Sequence, residues 1–488
     1  MEWTRENRYK RIEEVSQETL SSLKMKVESC QWRQTFHIQP PTGLLNDPNG
    51  FSYFNGEYHL FYQWFPLGPV HGLKYWYHTK STDLVHWENV GVAIKPNKEF
   101  DSHGAYSGSG IVKDDKLYLM YTGNTRDENW VRKPYQAMAM LDKEGKITKY
   151  PTPVISEVPI GYTDHFRDPK VWELNGTYYA VIGAQRLDES GCVVLYESKD
   201  LLSWDFLGEV ETDLKQFGYM WECPDYFELD DKGILLFSPQ GLEPEGDRYH
   251  NIYQSGYLVG ETLDIEQRRF THKKFHELDR GFDFYAPQTM KAPDGRRLLV
   301  GWMGLPEIEY PTDENGWAHC LTIPRELQLK DDRLIQKPVA ELTKSRKEKS
   351  GFAKTIHHDV QNELTGTHFE LICELQDMSA ASFGIEFRAS AEEKTVLEYN
   401  KEENKIKLDR SLSGKSFGEE FGTSRSCLIN GDVKKIQLFV DTSSVEIFIN
   451  DGEEVFTSRI FPKPESDEIR FYVNGGHATV TVEKWDLI

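Results

Sequence analysis

The sequence predicts an all-β chain. Residues 31–340 read as a five-bladed β-propeller, 341–350 as a linker and 351–488 as a β-sandwich, after a short N-terminal helical extension over 1–30. Three observations predict this. Five apolar runs recur, Tyr58–Trp64, Leu117–Gly123, Tyr178–Ala184, Ile234–Pro239 and Leu298–Gly304, each starting roughly 60 residues after the last, a period that points to a propeller or array rather than one sandwich. The pattern Ser-x-Asp-Leu-x-x-Trp occurs at Ser81–Trp87 and again at Ser198–Trp204, as in outer strands of related units, which assigns Trp87 and Trp204 to packing. The last third changes rhythm, to short alternating strands such as Phe383–Phe387, Val396–Tyr399, Ile436–Val440, Val445–Ile449 and Ile469–Val473. Turns at Asn450-Asp451-Gly452 and Asn474-Gly475-Gly476 are expected to join neighbours as hairpins of an antiparallel sandwich.

In the extension, Ser16 can cap a helix whose Leu20, Leu23 and Val27 share one face. It is expected to pack on the propeller and carries no chemistry. The charged stretch Leu342–Ser350 has the polarity of a linker.

Composition excludes several function classes. With 79 acidic against 57 basic residues and a formal charge of −22, attraction to nucleic acid or an anionic membrane is disfavoured. The six cysteines are scattered, without zinc spacing, and read as reduced thiols; no metal site and no cofactor is expected. The first 27 residues lack an apolar signal core and any bilayer-length stretch, so a cytoplasmic location is expected, as monomer or homodimer. Aromatic content of 13% suits sugar faces and β cores alike, and decides nothing alone.

The candidate site comes from the repeat. About ten to thirteen residues before each apolar run, the offset of a tight hairpin, stand Asp47, Ser107, Asp168, Glu222 and the pair Tyr285-Ala286. Equivalent positions at one end of each innermost strand converge on a propeller axis. Three of these are carboxylates, which would repel one another and raise at least one pKa unless the set serves a function. Glycoside hydrolysis needs a nucleophile, an acid for the leaving oxygen and polar groups for sugar hydroxyls.

The segments HIQPPTGLLNDPNG (His37–Gly50), YSGSG (Tyr106–Gly110), FRDPK (Phe166–Lys170), WECPD (Trp221–Asp225) and VDTSSVEIFINDG (Val440–Gly452) resemble glycoside hydrolase family 32, the invertase and fructanase group, over nearly the whole chain. The resemblance implies a five-bladed propeller with a C-terminal sandwich. It implies that Asp47 is the nucleophile, Glu222 the acid/base, and Asp168 the carboxylate that holds fructose hydroxyls. A retaining pair stands about 5–5.5 Å apart, requires a covalent fructosyl-enzyme, and needs Glu222 protonated while Asp47 is ionised. Burial beside Trp221 and the charge of Asp47 are expected to raise Glu222, and peptide N–H groups of Asn46–Gly50 to hold Asp47 as an anion. Cys223 reads as packing.

For substrate binding, Asn46 and Gln63 can bond fructose hydroxyls, Ser107 occupies the blade-equivalent position, and Arg167 can orient the carboxylates. Trp64, Trp76, Tyr106, Tyr285 and Trp302 can wall the pocket. Within the family, the charged extension and the segments HFRDPKVW, FGYMWECPD, YQSGY and GFDFYAPQT look most like the bacterial sucrose-6-phosphate hydrolases. That likeness implies a small-molecule sugar substrate phosphorylated on glucose, hence a local basic cluster; Lys74, Arg126, Arg132, Arg186, Arg248 and His250 are all open candidates. Plain sucrose or short fructans, or sugar binding without catalysis on the same scaffold, are the alternatives.

Overall fold

The computed structural model describes residues 2–358 and 361–488; residues 1, 359 and 360, inside the expected extension and sandwich, lie outside the described residues, as do the side chains of 361–363. Helices are confined to short pieces and the chain is all-β. Between residues 43 and 338 it forms five successive antiparallel sheets, each built on four strands. Their first strands are Gly43–Phe54, Ala105–Lys113, Tyr162–Leu174, Met220–Leu229 and Tyr285–Lys291. Each of the five apolar runs lies on the second strand of its sheet. These runs are buried almost throughout, because both faces pack against neighbouring sheets. First strands touch in chain order, and the fifth also touches the first. The short strand Trp317–Ala318 runs parallel beside Gly43 and Leu44, tying the end of this region to its beginning.

The repeated tryptophan pattern is one loop built twice. Asp83 and Asp200 accept backbone N–H bonds from the residues that follow, and Leu84 and Leu201 are fully buried. The Trp87 and Trp204 indoles donate to the Leu84 and Leu201 carbonyls at 3.1 and 2.9 Å.

The last third forms two six-stranded sheets around a core that includes Phe369, Leu371, Phe383, Ile385, Leu438, Ile447 and Phe471. All five expected strands are present. Asn450–Gly452 does turn a hairpin, with Asn450 and Asp451 in the left-handed region. Asn474–Gly476 does not: Glu468–Asn474 and His477–Leu487 belong to opposite sheets, so this turn crosses the sandwich. The segment read as a linker is ordered structure. Ala340–Ser345 is a 3₁₀ helix with Leu342 buried, and Arg346 opens a strand that pairs with the C-terminal strand while gripping Glu370 through Nε and Nη2. Arg346 and Lys349 pair with Glu370 and Glu483 on other strands of the same sheet, which composition could not reveal.

Ser16 caps the helix Gln17–Glu28, as the sequence indicated, and Leu23 and Val27 pack near Trp317. A second, unforeseen helix, Arg5–Arg8, precedes it and lays the Arg5 guanidinium over the Trp130 ring.

Buried polar groups join the two regions. His37 donates Nδ1 to Asp441 at 2.8 Å and Nε2 to Glu446 at 2.9 Å, and Arg325 grips Glu446 at 2.6 and 3.1 Å. All four side chains are fully buried. The backbone N–H groups of Thr35, Phe36 and His37 also converge on Asp441. The chain thus enters the first strand, and Asp47, from a clamped position.

Candidate active site

Each first strand loses register where the site residues lie: between Leu45 and Pro48, Ala105 and Gly108, Arg167 and Lys170, Glu222 and Asp225, and Tyr285 and Gln288. Bulges re-aim side chains, and proline suits them because the lost ladder bond needs no N–H. Asp168, Cys223 and Ala286, each before a proline, hold φ of 68°, 48° and 48°, a left-handed conformation that non-glycine residues adopt only under constraint.

The contacts place the site in two tiers, one residue apart. Asp47, Ser107, Asp168 and Cys223 form the inner tier. Ser107 Oγ donates to Asp47 Oδ2 at 2.5 Å, and the Cys223 thiol reaches Asp47 Oδ2 at 3.4 Å and Asp168 Oδ2 at 3.6 Å. Asn46, Arg167, Glu222 and Tyr285 form the rim. Arg167 donates Nε and Nη2 to Glu222 Oε1 at 2.9 and 2.6 Å, and the Tyr285 hydroxyl donates to Oε2 at 2.6 Å. Glu222 therefore stands one residue out of phase with Asp47 and Asp168, and Cys223 occupies their equivalent position. Equal spacing in sequence conceals that step.

The three carboxylates sit in different fields. Asp47 is raised, chiefly by burial and then by Glu222, against bonds from Ser107, Asn46 and Cys223. Asp168 is pushed up to about 7, first by burial and then by Glu222 and Asp47, with Arg167 opposing. Its Oδ2 accepts the Cys223 N–H at 3.0 Å. Burial would raise Glu222 too, but Arg167 outweighs it, with Tyr285 adding, and the carboxyl is lowered. This reverses the expected order of Asp47 and Glu222, because a buried guanidinium two bonds strong outweighs desolvation. The Asp47 anion is held by side-chain donors, Asn46 at 3.2 Å and Gln63 at 3.4 Å besides Ser107, rather than by peptide N–H groups.

The other expected residues divide. Gln63 bridges Asp47 and Ser107. Asn46 accepts from Lys74 Nζ at 2.7 Å. Lys74 itself is buried, and burial lowers it to about 7. Tyr106 is half-buried on the rim. Trp64 is not a pocket wall: its indole bonds the Thr42 carbonyl at 2.6 Å and its ring packs on Tyr75 and Tyr77. Trp76 is fully buried and holds the Tyr106 carbonyl at 2.9 Å. Trp302 stands behind Tyr285, edge-on at 5.9 Å. Both tryptophans support the site from behind, as alternation along a strand buried on both faces allows.

Sequence reasoning missed three contributors. Gln240 donates to Glu222 Oε2 at 3.0 Å and ends the run Ile234–Pro239, whose polar terminus was the available signal. His165 contacts Arg167 at 3.0 Å and lies two residues before it, on the same strand face. Cys223 touches two carboxylates; burial pushes its thiol well up, so it is a neutral donor. Asp47, Asp168 and Cys223 place ligand atoms within 4.8 Å of one another, but a thiol held protonated is a poor metal ligand.

Such a site offers one carboxylate surrounded by neutral donors, one gripped by arginine and tyrosine, and a third held by the Cys223 N–H, the equipment of glycosyl transfer to an enzyme carboxylate. The model of the glycosyl hydrolases family 32 N-terminal domain matches residues 37–338, and that of the family 32 C-terminal domain matches 338–486. The chain belongs to glycosyl hydrolase family 32. It is 50% identical over 489 residues to the sucrose-6-phosphate hydrolase of Staphylococcus xylosus, covering 100% of this chain and 99% of that one. The solved sucrose-6-phosphate hydrolase of Lactobacillus gasseri superposes with a TM-score of 0.94 at 38% identity, over 100% and 99% of the two chains. A Bombyx mori family 32 beta-fructofuranosidase mutant, solved with sucrose, gives 0.84 at 35% identity over 96% and 97%. No described helix is long and apolar enough to cross a membrane.

Proposed function

We propose that this family 32 enzyme hydrolyses the β-fructofuranosidic bond of sucrose 6-phosphate to glucose 6-phosphate and fructose, with retention at the anomeric carbon. The observation that carries the chemistry is the contrast between Asp47, held by neutral donors, and Glu222, held by Arg167, Gln240 and Tyr285. The full-length likeness to the Staphylococcus xylosus enzyme carries the substrate.

Asp47 Oδ1, engaged among the described residues only by Asn46, attacks the anomeric carbon. The bond to the glucosyl oxygen breaks, and that oxygen takes the proton of Glu222. Water then attacks the fructosyl–Asp47 ester, gives its proton to Glu222 and releases the Asp47 carboxylate. Asp168 binds fructose hydroxyls beside the Cys223 N–H. Before sugar binds, the shared proton favours Asp168 over Glu222. Sugar oxygens that draw donors from Arg167 raise Glu222 and move the proton to where protonation of the leaving group needs it.

The same reading takes the five sheets as blades around one axis, supported by first strands that touch in a cycle and carry the same bulge. It divides the chain into the extension, a catalytic propeller from about 31 to 340 and a sandwich beyond, close to the two family matches. A substrate phosphorylated during uptake suits an enzyme acting inside the cell, as monomer or homodimer.

The test is kcat/KM for sucrose 6-phosphate and for sucrose on one preparation. A preference of about a hundredfold, roughly 2.7 kcal/mol, supports the reading. Equal values make the enzyme an invertase, and turnover of neither removes the hydrolase reading of this substrate.

A further inference from the structure

A formal charge of −22 repels a phosphate dianion at long range, so its attraction must be local. The structure separates the six basic candidates. Lys74 is buried against Asn46. Arg186 is paired with Glu209 at 2.6 Å and Arg248 with Glu245 at 2.8 Å, while His250 bonds the Gly246 carbonyl at 2.8 Å. Among the described residues, Arg126 and Arg132 form no ion pair.

These two arginines face each other directly across the hairpin that joins Lys116–Arg126 to Arg132–Leu141. Like charges opposed across strands are destabilising, and neither arginine forms an ion pair with a carboxylate of the hairpin. Its Asp127 carboxylate accepts the backbone N–H groups of Asn129 and Val131. Arg126 gives Nη1 to the Trp130 carbonyl at 3.1 Å, Arg132 gives Nη1 to His165 Nδ1 at 3.3 Å, and each Nε is buried without an acceptor. Buried donors left unpaired cost free energy unless a ligand satisfies them.

The pair is anchored and aimed. Trp130 is covered by the N-terminal extension, with the Arg5 guanidinium 4.2 Å above its ring and Tyr9 edge-on at 5.0 Å. His165 Nδ1 accepts from Arg167 Nη1 as well, at 3.0 Å, and Arg167 holds Glu222. Burial, then Arg167 and Arg132, lower His165 to about 4, so it is neutral; with Nδ1 accepting twice, its hydrogen is on Nε2, one more donor. Three contacts thus lead from Glu222 to Arg132. Glu222 serves the oxygen that departs with glucose, so this cluster lies on the leaving group's side. The cleft of about 980 Å³ beyond Trp302 is the wrong sign, since Glu307, Glu309, Asp313, Glu314 and Glu420 outnumber Arg8 and Lys415.

We propose that Arg126 and Arg132, with His165 linking them to Arg167, form the anion site for the phosphate of the departing glucose 6-phosphate. The assignment rests on the substrate reading above. Two planar forks opposed across a hairpin suit bidentate binding of phosphate oxygens.

The experiment measures kcat/KM for sucrose 6-phosphate and for sucrose in wild type, Arg126→Gln, Arg132→Gln and the double variant. The ratio of the two values is expected to fall about 10- to 100-fold in each single variant and further in the double, through KM. Arg132→Lys, which keeps charge without the fork, is expected to lower the ratio less than Arg132→Gln, and it serves if the double variant does not accumulate. An unchanged ratio, or a parallel loss on both substrates, overturns the site. A wild type that prefers sucrose 6-phosphate beside variants that keep the preference overturns the arginine assignment alone. A wild type without any preference overturns the substrate reading and the site together.

Discussion

Replacing His37 by glutamine tests the clamp that delivers the first strand to the site. His37 is fully buried between Asp441 and Glu446, and although burial disfavours its charge, bonds to both carboxylates raise its pKa to about 9. Against about 6.5 in the unfolded chain, that rise of about 2.5 units corresponds to about 3 kcal/mol. A folded pKa above the unfolded one means this stability is fully present below about pH 6.5 and is lost as pH rises through about 9. Asp441, lowered to about 2 despite its burial by the same His37 bond, reports that contact from the other side, and the two are not added. His37→Gln leaves Asp441 buried without its ion-pair partner and Glu446 with Arg325 alone, and breaking a buried pair typically costs about 3–5 kcal/mol. Urea midpoints at about pH 6 and about pH 9.5 check this: the gap between wild type and variant should be large at the lower pH and shrink at the higher, as wild-type His37 loses its proton. An equal gap at both values would refute a charged His37.

Two further outcomes concern the chemistry. kcat/KM should fall as pH rises through an apparent value near 7, when the carboxylate cluster loses its shared proton, and Arg167→Gln should move that limb to higher pH by freeing Glu222; a limb that does not move contradicts Arg167 as the group holding Glu222 low. Glu222→Ala should lose several orders of magnitude on sucrose 6-phosphate but much less on a fructoside with a good leaving group, which needs little protonation, and an equal loss would give Glu222 another role.

Much of this was legible because backbone repetition leaves sequence traces. The apolar runs at Tyr58, Leu117, Tyr178, Ile234 and Leu298 are second strands buried on both faces, and such strands read as unbroken hydrophobic segments. The carboxylates stood at a shared offset because each precedes or adjoins the same bulge. What failed was finer than the repeat. A one-residue step at a bulge separates Glu222 from Asp168 and leaves Cys223 facing two carboxylates, and spacing measured to within three residues cannot resolve it. Trp64 and Trp76 were misplaced because composition does not say which face of a doubly buried strand meets the pocket. The order of Asp47 and Glu222 depended on which carboxylate Arg167 reaches, a long side chain's choice that adjacency in Arg167-Asp168 obscured.

The central claim is a fructosyl ester on Asp47. Glu222→Gln, given a fructoside with a good leaving group, should form the ester and hydrolyse it slowly, because the second step lacks its base. Rapid acid quench, digestion and mass analysis should then find one anhydrofructose unit on the peptide that carries Asp47. A peptide without the added unit, or the unit on Asp168 instead, would contradict the account.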